Sequence, residues 1–228
     1  AVLGGSTFSM ISIAKILGKL FDENPISVWS FFFGLILASV YYVGCRVEKW
    51  KLGPILFFII GTGFAIFLTF LSNSPIHNES LLYIFICGVV GVSGMLIPGL
   101  SGSFILILMG TYELLMIESL SNPINNMVIL SIFILGSIVG LILFSHVIAW
   151  LLKYFKDYIL ALLTGFILGS LIIIWPWQNC IEETNTKIKC LEYEKYIPEL
   201  DLSLLPAVLL MILGYLLVMK LETFSKTN

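Results

Sequence analysis

The feature that most constrains this chain is a series of apolar segments long enough to cross a membrane. A transmembrane helix needs about 20 predominantly apolar residues to span a hydrocarbon core of about 30 Å. The candidate segments are 2–18, 27–44, 53–71, 127–150, 158–175 and 203–221. The chain is 59% hydrophobic and 11% charged, whereas a soluble domain is about half apolar and about a quarter charged. The sequence therefore predicts an all-α, polytopic integral membrane protein.

One apolar stretch, 81–117, is longer than a single span and is interrupted at its centre by Pro98 and Gly99. Each arm, 81–97 and 101–117, corresponds to about 25 Å of helix, which is slightly short for a full crossing. Backbone that is not helical survives at membrane depth only where protein or a water-filled cavity satisfies its polar groups. We therefore expect a re-entrant, broken-helix hairpin whose break has a function.

The positions of Lys and Arg predict the orientation of the segments. The connectors 45–52 and 151–157 are basic, whereas 72–80 and 121–126 contain no Lys or Arg. The positive-inside rule assigns the basic connectors to the cytoplasm. The hairpin then begins and ends on the outer side, and the polar stretch 176–202 becomes an extracytoplasmic loop before the final helix.

An internal repeat is suggested by two short motifs. "GLILAS" at Gly34–Ser39 recurs later in the chain as "GFILGS" at Gly165–Ser170. The predicted topology gives the two segments opposite directions, which is the signature of an inverted-repeat transporter. Within a single membrane domain, we expect 1–71 to be the remainder of a first repeat and 81–175 to be the second repeat.

The repeat also predicts where a second hairpin would lie. If the separation between Pro98 and Gly165 is counted back from Gly34, the equivalent turn falls before Ala1. The first residue is Ala rather than Met. We therefore expect the sequence to be N-terminally truncated and to lack the first hairpin.

Three separated motifs resemble a family of bacterial and archaeal membrane proteins. They are "FFFGLILAS" (31–39), "IPGLSGSFILILMGTYE" (97–113) and "LLTGFILGSLIIIWPWQ" (162–178). The family is the polyprenyl-phosphate translocase family of the PopT type, formerly a membrane domain of unknown function. Its members carry two P-G-x-S-G motifs, each followed by an apolar run and G-x-Y-E, and this chain resembles them in the second.

This resemblance implies a multi-pass transporter of the cytoplasmic membrane. It would return the lipid undecaprenyl phosphate from the outer to the inner leaflet so that this carrier of cell-wall precursors is recycled. A charged headgroup in hydrocarbon costs several kcal/mol or more, so a protein is needed to shelter it. No catalytic residue, cofactor or metal is expected, and neither a nucleic-acid partner nor an oligomeric state is indicated.

The expected headgroup site is the interruption of the hairpin. A helix N-terminus offers unpaired backbone N–H groups and the positive end of the helix dipole. Glycines allow close approach of the backbone, and serine hydroxyls either donate hydrogen bonds or cap the helix. The predicted site residues at the break are Pro98, Gly99, Ser101, Gly102 and Ser103.

Four more residues are candidates: Tyr112 and Glu113 are counted with the substrate-binding residues, and Arg46 and His146 are possible accessory residues. Glu113 follows Ser101 by about 18 Å along a continuous helix, so Tyr112 and Glu113 are expected near the outer interface. There they would relay protons or order the hairpin exit, or simply be interfacial. Arg46 is either a positive-inside anchor or a contact for the phosphate, and His146 is either packed or functional.

An enzyme is the main alternative. "GLSG" at Gly99–Gly102 also matches the G-x-S-G around the nucleophile of rhomboid-type intramembrane serine proteases, with His146 as the candidate base. Pro98 directly before the motif and the absence of an A-H-x-x-G setting around His146 argue against it. The predicted topology also separates Ser101 from His146. A purely structural membrane subunit is a third interpretation.

The polar loop and its border add two expectations. Trp175 and Trp177 are expected in the aromatic belt at the membrane interface, with Pro176 ending the preceding helix. Cys180 and Cys190 could form a disulfide only if the loop faces an oxidising compartment.

Overall fold

The predicted all-α class is confirmed, because the chain is nearly all helical. The computed structural model describes residues 2–70, 80–119, 122, 124–180, 193–198 and 204–227. In chain order the elements are α1 (Val2–Glu23), α2 (Pro25–Gly44), α3 (Leu52–Thr69), α4 (Leu81–Leu96), α5 (Gly102–Leu108), a π-helix (Glu113–Ser119), α6 (Met127–Tyr154), α7 (Lys156–Ser170), β1 (Gln178–Cys180), β2 (Tyr193–Lys195) and α8 (Leu204–Thr227).

Within the described residues, four helical segments are long and apolar enough to cross a membrane. They are Pro25–Gly44, Leu52–Thr69, Met127–Tyr154 and Leu204–Phe224. Large apolar side chains cover their outer faces, for example Ile59 and Leu209, which are 58% and 57% exposed. A water-facing helix would not present such a surface. The chain is therefore a multi-pass membrane protein.

The predicted segment 158–175 is not one continuous helix. α7 has 15 residues and ends at Ser170. The N–H groups of Leu171 and Ile172 then donate to carbonyls three residues earlier, at 3.2 and 3.3 Å. This tighter bonding is typical of a helix end. The sequence-based window extended too far because the apolar run continues through these turns.

The chain consists of two compact units. One unit consists of Ala1–Ser39 and Ile173–Asn228. Within it, α2 and α8 approach so closely that only glycine fits at the contact. A Cβ built on Gly34 would lie 2.0 Å from the carbonyl oxygen of Met211, and one on Gly214 would lie 2.4 Å from that of Phe31.

The other unit consists of Val40–Ile172 and contains two closely packed helix pairs. In the pair of α3 and α7, a Cβ on Gly61 would lie 2.4 Å from the carbonyl oxygen of Leu162, and one on Gly165 would lie 2.2 Å from that of Phe58. Small residues at helix contacts are a common device in membranes, where packing rather than hydrophobicity drives association.

The pair of α4 and α6 repeats this arrangement. A Cβ on Gly88 would lie 2.4 Å from the carbonyl oxygen of Phe133, and one on Gly136 would lie 2.2 Å from that of Phe85. In all three pairs, each glycine contacts the carbonyl of the residue three positions before the partner's glycine.

Helix junctions recur at the spacing of the two repeated motifs. α1 ends at Glu23 and α2 begins at Pro25, whereas α6 ends at Tyr154 and α7 begins at Lys156. The offset between the two junctions equals the offset between Gly34 and Gly165. The recurrence agrees with the predicted inverted repeat, which stays a prediction.

The predicted polar loop 176–202 contains the only strands of the described chain. β1 pairs with β2 in antiparallel register, with Gln178 opposite Lys195. The Trp175 indole N–H donates to the Tyr196 carbonyl oxygen at 3.0 Å. Trp177 is only 8% exposed, so its prediction as a membrane-belt residue was wrong. Cys190, half of the considered disulfide, lies outside the described residues.

Candidate functional site

The predicted break in the hairpin is present. α4 ends at Leu96 and α5 begins at Gly102, so the stretch is not one helix. The Leu100 N–H donates to the carbonyl oxygen of Ile97 at 3.2 Å, which closes a tight turn. Gly99 has φ +90°, a conformation that glycine adopts without steric cost.

After the turn, α5 runs back along α4. A Cβ on Gly94 would lie 3.1 Å from the backbone nitrogen of Gly102, close to the turn. Further along, the Tyr83 hydroxyl donates to the Met109 carbonyl oxygen at 2.7 Å. The two helices therefore form an antiparallel hairpin. Its buried core consists of Ile84, Cys87, Leu106, Leu114 and Leu115.

The second arm is not the single 101–117 helix that was predicted. α5 has seven residues, and Gly110 then adopts φ +67°. The N–H groups of Gly110 and Thr111 donate to the carbonyl oxygens of Ile107 and Leu106 at 2.9 and 3.0 Å. This pair of bonds is a Schellman motif, which ends a helix. A π-helix follows, so the helical rise expected between Ser101 and Glu113 does not apply.

At the turn, the serine hydroxyls contact each other. Ser101 Oγ and Ser103 Oγ lie 2.7 Å apart. Ser101 is the N-cap residue of α5, but its side chain makes no capping hydrogen bond, so the capping role considered for it was wrong. The first backbone bond of α5 runs from the Ile105 N–H to the Ser101 carbonyl oxygen at 3.1 Å.

Backbone N–H groups at this turn remain available to bind a ligand. In the described part of the chain, the backbone N–H groups of residues 102–104 donate to no backbone carbonyl. Pro98, Gly99 and Ser101 are exposed, Ser103 is half-buried, and Gly102 is buried. The turn thus combines two hydroxyls with unpaired amides. Because α5 has only seven residues, its dipole adds little to them.

The tip of the hairpin packs against α7. A Cβ on Gly99 would lie 2.8 Å from the carbonyl oxygen of Phe166. Phe166 belongs to the "GFILGS" motif, so the structure joins two motifs that are far apart in the sequence. Both motifs are recognisable in the sequence, but no sequence feature predicts their contact.

Tyr112 and Glu113 lie at the opposite end of the hairpin from the turn. They follow Met109, whose carbonyl is bonded to Tyr83 near the start of α4. The helix from Tyr83 to Leu96 has a rise of about 20 Å. Glu113 is exposed, and Tyr112 packs against the buried core of the hairpin. The structure therefore divides the predicted site residues into two groups.

Arg46 and His146 lie in local contacts of their own. The Arg46 guanidinium lies 4.5 Å from the centroid of the Tyr42 ring. His146 is exposed on α6, and its Nδ1 lies 2.8 Å from the Ile142 carbonyl oxygen. Among the described residues, Ser101 bonds to Ser103 and His146 bonds to its own helix, and no hydrogen bond joins the Ser–His pair that a serine protease would need. Among the described residues, no group of three or more His, Cys, Asp or Glu could hold a metal ion.

Comparison with known proteins points to one family. The family model described as undecaprenyl phosphate translocase-like matches residues 1–190. A polyprenyl-phosphate transporter of Vibrio cholerae is 39% identical over 181 residues, which cover 79% of this chain and 57% of the relative. One of Staphylococcus aureus is 28% identical over 190 residues, covering 77% of this chain and 67% of the relative.

The chain thus spans a little more than half of the Vibrio protein's length. No solved structure matches the chain. The family match extends across both helix pairs of the second unit, the broken hairpin and the "GFILGS" motif that the hairpin contacts. The chain belongs to the undecaprenyl phosphate translocase-like family.

Proposed function

We propose that this protein is a transporter that returns undecaprenyl phosphate from the outer to the inner leaflet of the bacterial or archaeal cytoplasmic membrane. The family match and the transporter names of two relatives support this proposal. These names also favour a role without catalysis. The observation that carries the proposal is the broken hairpin, which has two hydroxyls and unpaired amides within an apolar helical protein.

The headgroup would be held by neutral hydrogen-bond donors. The hydroxyls of Ser101 and Ser103 and the amides of residues 102–104 would replace water around the phosphate oxygens. No Lys or Arg lies between residues 52 and 152, so the groups of this stretch that would solvate the phosphate are neutral hydrogen-bond donors. Hydrogen bonds to a charged group contribute about 1.5–3 kcal/mol each, so a few of them offset much of the desolvation cost. The polyprenyl tail would stay in lipid.

Movement of the headgroup would follow from the predicted repeats. In inverted-repeat transporters, one repeat rocks against the other around a central site. The shared spacing of the helix junctions and of the glycine motifs supports two related halves. Tyr112 and Glu113 would order the far end of the hairpin rather than contact the phosphate, since they lie at the end of the hairpin opposite the turn.

A serine-to-alanine pair tests the proposed site. In the full-length protein, we expect Ser101→Ala with Ser103→Ala to reduce recycling of undecaprenyl phosphate by tenfold or more, because two donors to a charged group are lost. The measurement is the amount of undecaprenyl phosphate on the cell surface, in cells whose other carrier transporters are deleted.

Ser137→Ala is the matched control. Its hydroxyl only bonds to the Phe133 carbonyl oxygen of its own helix, at 2.9 Å, so lipid recycling should stay at the wild-type level. If the double variant recycles the carrier normally, the turn does not hold the headgroup. If Ser101→Ala instead abolishes cleavage of a membrane protein and leaves the carrier unaffected, the protein is a protease.

A further inference from the structure

Two polar connectors meet at one end of the second unit. In the connector between α2 and α3, Val47 is buried, with only 5% of it exposed. The Asp157 carboxylate, in the first turn of α7, accepts the backbone N–H groups of Glu48 and Lys49 at 3.1 and 3.3 Å. Lys156 Nζ lies 2.6 Å from Glu48 Oε1. These contacts bring the α2–α3 connector to the junction of α6 and α7.

The joined connectors carry an excess of positive charge. Residues 45–51 and 153–157 contain five cationic and two anionic side chains. Both carboxylates are already engaged, Glu48 by Lys156 and Asp157 by backbone N–H groups. No ion pair within the described chain involves the remaining cations, which we call the basic surface: Arg46, Lys49, Lys51 and Lys153.

Aromatic side chains border the basic surface. The Trp50 indole N–H donates to the Gly44 carbonyl oxygen at 3.2 Å, and Trp50 remains 44% exposed. Trp150 and Tyr154 are 54% and 61% exposed, and Lys153 Nζ lies 5.6 Å from the Tyr154 ring centroid. Exposed Trp and Tyr are typical of the interface between hydrocarbon and headgroups, where their amphipathic rings are stable.

We infer that the basic surface binds the headgroups of anionic phospholipids in the surrounding bilayer. The inference does not depend on the transport function proposed above. The four cations of the basic surface are all exposed and lie beside exposed aromatic rings. Because they are spread over a surface rather than gathered in a cavity, the ligand that fits them is a layer of lipid headgroups. Each Lys or Arg near an anionic membrane surface increases the affinity for that surface about fivefold.

Titration with lipids tests this inference. The full-length protein in neutral detergent is mixed with phosphatidylglycerol or with phosphatidylcholine, and bound lipid is counted by native mass spectrometry. The wild-type protein should prefer phosphatidylglycerol. Lys49→Gln, Lys51→Gln and Lys153→Gln together should reduce that preference by about a hundredfold. Replacing the same lysines by Arg should preserve it.

The matched control removes three lysines elsewhere, by Lys15→Gln, Lys19→Gln and Lys220→Gln, and should keep the preference. All variants retain the Lys156–Glu48 and Asp157 contacts, and their thermal midpoints should agree. The inference fails if the first triple variant still prefers phosphatidylglycerol, or if the control loses the preference equally. It also fails if millimolar inorganic phosphate displaces the lipid, since that would indicate a site for free phosphate.

Discussion

Position 99 requires glycine for two separate reasons. Its φ of +90° lies in the region that side chains rarely adopt. A Cβ there would also lie 2.8 Å from the carbonyl oxygen of Phe166, on a helix that cannot move without disturbing its own packing. Pro98 adds a fixed φ and removes a donor. These residues hold Ser101 and Ser103 at an exposed turn.

Lys156 provides a pH-dependent contact at the residue scale, outside the membrane-spanning segments. Its hydrogen bond to Glu48 raises the pKa of the Lys156 ammonium above the ordinary value of 10.5, and the Coulombic attraction of Glu48 adds to this rise. Folding therefore favours the protonated form. The stabilisation is fully present below the ordinary pKa and is lost as the pH rises through the raised one.

We accordingly expect the melting temperature of the wild-type protein to be slightly higher than that of Lys156→Gln. This difference in melting temperature should stay constant from about pH 7 to about pH 10. The difference should shrink only at higher pH. It should be small, because both side chains are more than half exposed and water screens the pair. Lys156→Arg, which keeps its charge, should retain the contact throughout. A difference that shrinks below pH 9 would contradict this account.

The residues of the hairpin turn could be predicted from the sequence, whereas the distant residues that pack against the predicted segments could not. Pro98, Gly99 and the two serines were recognisable because a helix breaker and hydroxyls are costly in an apolar stretch. The contacts of Phe166 and Asp157 were not recognisable, since each depends on which distant segments meet. An acidic residue in the first turn of a helix was the only local signal for Asp157.

At the scale of elements, the length of the apolar stretches predicted the presence of helices well, but it predicted the positions of their ends poorly. The windows at 27–44, 53–71 and 127–150 agree with α2, α3 and α6 to within a few residues. α5 and α7 both end earlier than their apolar runs. Apolar composition reports burial or contact with lipid, whereas a helix end is set by local hydrogen bonds such as those around Gly110.

Two glycines of α3 test the close packing of the helix pairs. A Cβ on Gly61 would lie 2.4 Å from the Leu162 carbonyl oxygen, whereas a Cβ on Gly63 would meet nothing within 4 Å. We expect Gly61→Ala to destabilise the protein by about 1–3 kcal/mol through overpacking. Gly63→Ala should be neutral or stabilise it by up to about 1 kcal/mol, because Ala favours helix.

Thermal unfolding of both variants in the same detergent measures this difference. The two substitutions add the same methyl group to the same helix, so the comparison isolates the contact with α7. Equal melting temperatures would mean that α3 and α7 do not pack as closely as the structure describes.

At the scale of the whole molecule, the inverted repeat stays a prediction that two kinds of correspondence support. The motifs, the helix junctions and the position of the reciprocal glycine contacts in α2 and α7 all recur with one common offset along the chain. The motif was visible in the sequence, but the glycine contacts were not, because their partners lie on other helices. The predicted repeat further requires that the two related segments have opposite orientations in the membrane, and this can be tested.

Labelling of the two equivalent junctions tests this orientation. Asn24 and Phe155 separate the helices of each copy and are both exposed. The inverted repeat predicts that Asn24 faces the outside and Phe155 the cytoplasm, because equivalent points of inverted copies lie on opposite sides of the membrane. Asn24→Cys and Phe155→Cys are made separately in the full-length protein, after all of its native cysteines are changed to Ser.

A membrane-impermeant maleimide added to intact cells should label Asn24→Cys and leave Phe155→Cys unlabelled. After permeabilisation both should react, which controls for burial of either thiol. Labelling of both variants in intact cells would mean that the copies run in the same direction. A parallel repeat has its symmetry axis along the membrane normal, so rocking of inverted halves around the hairpin could not carry the headgroup across.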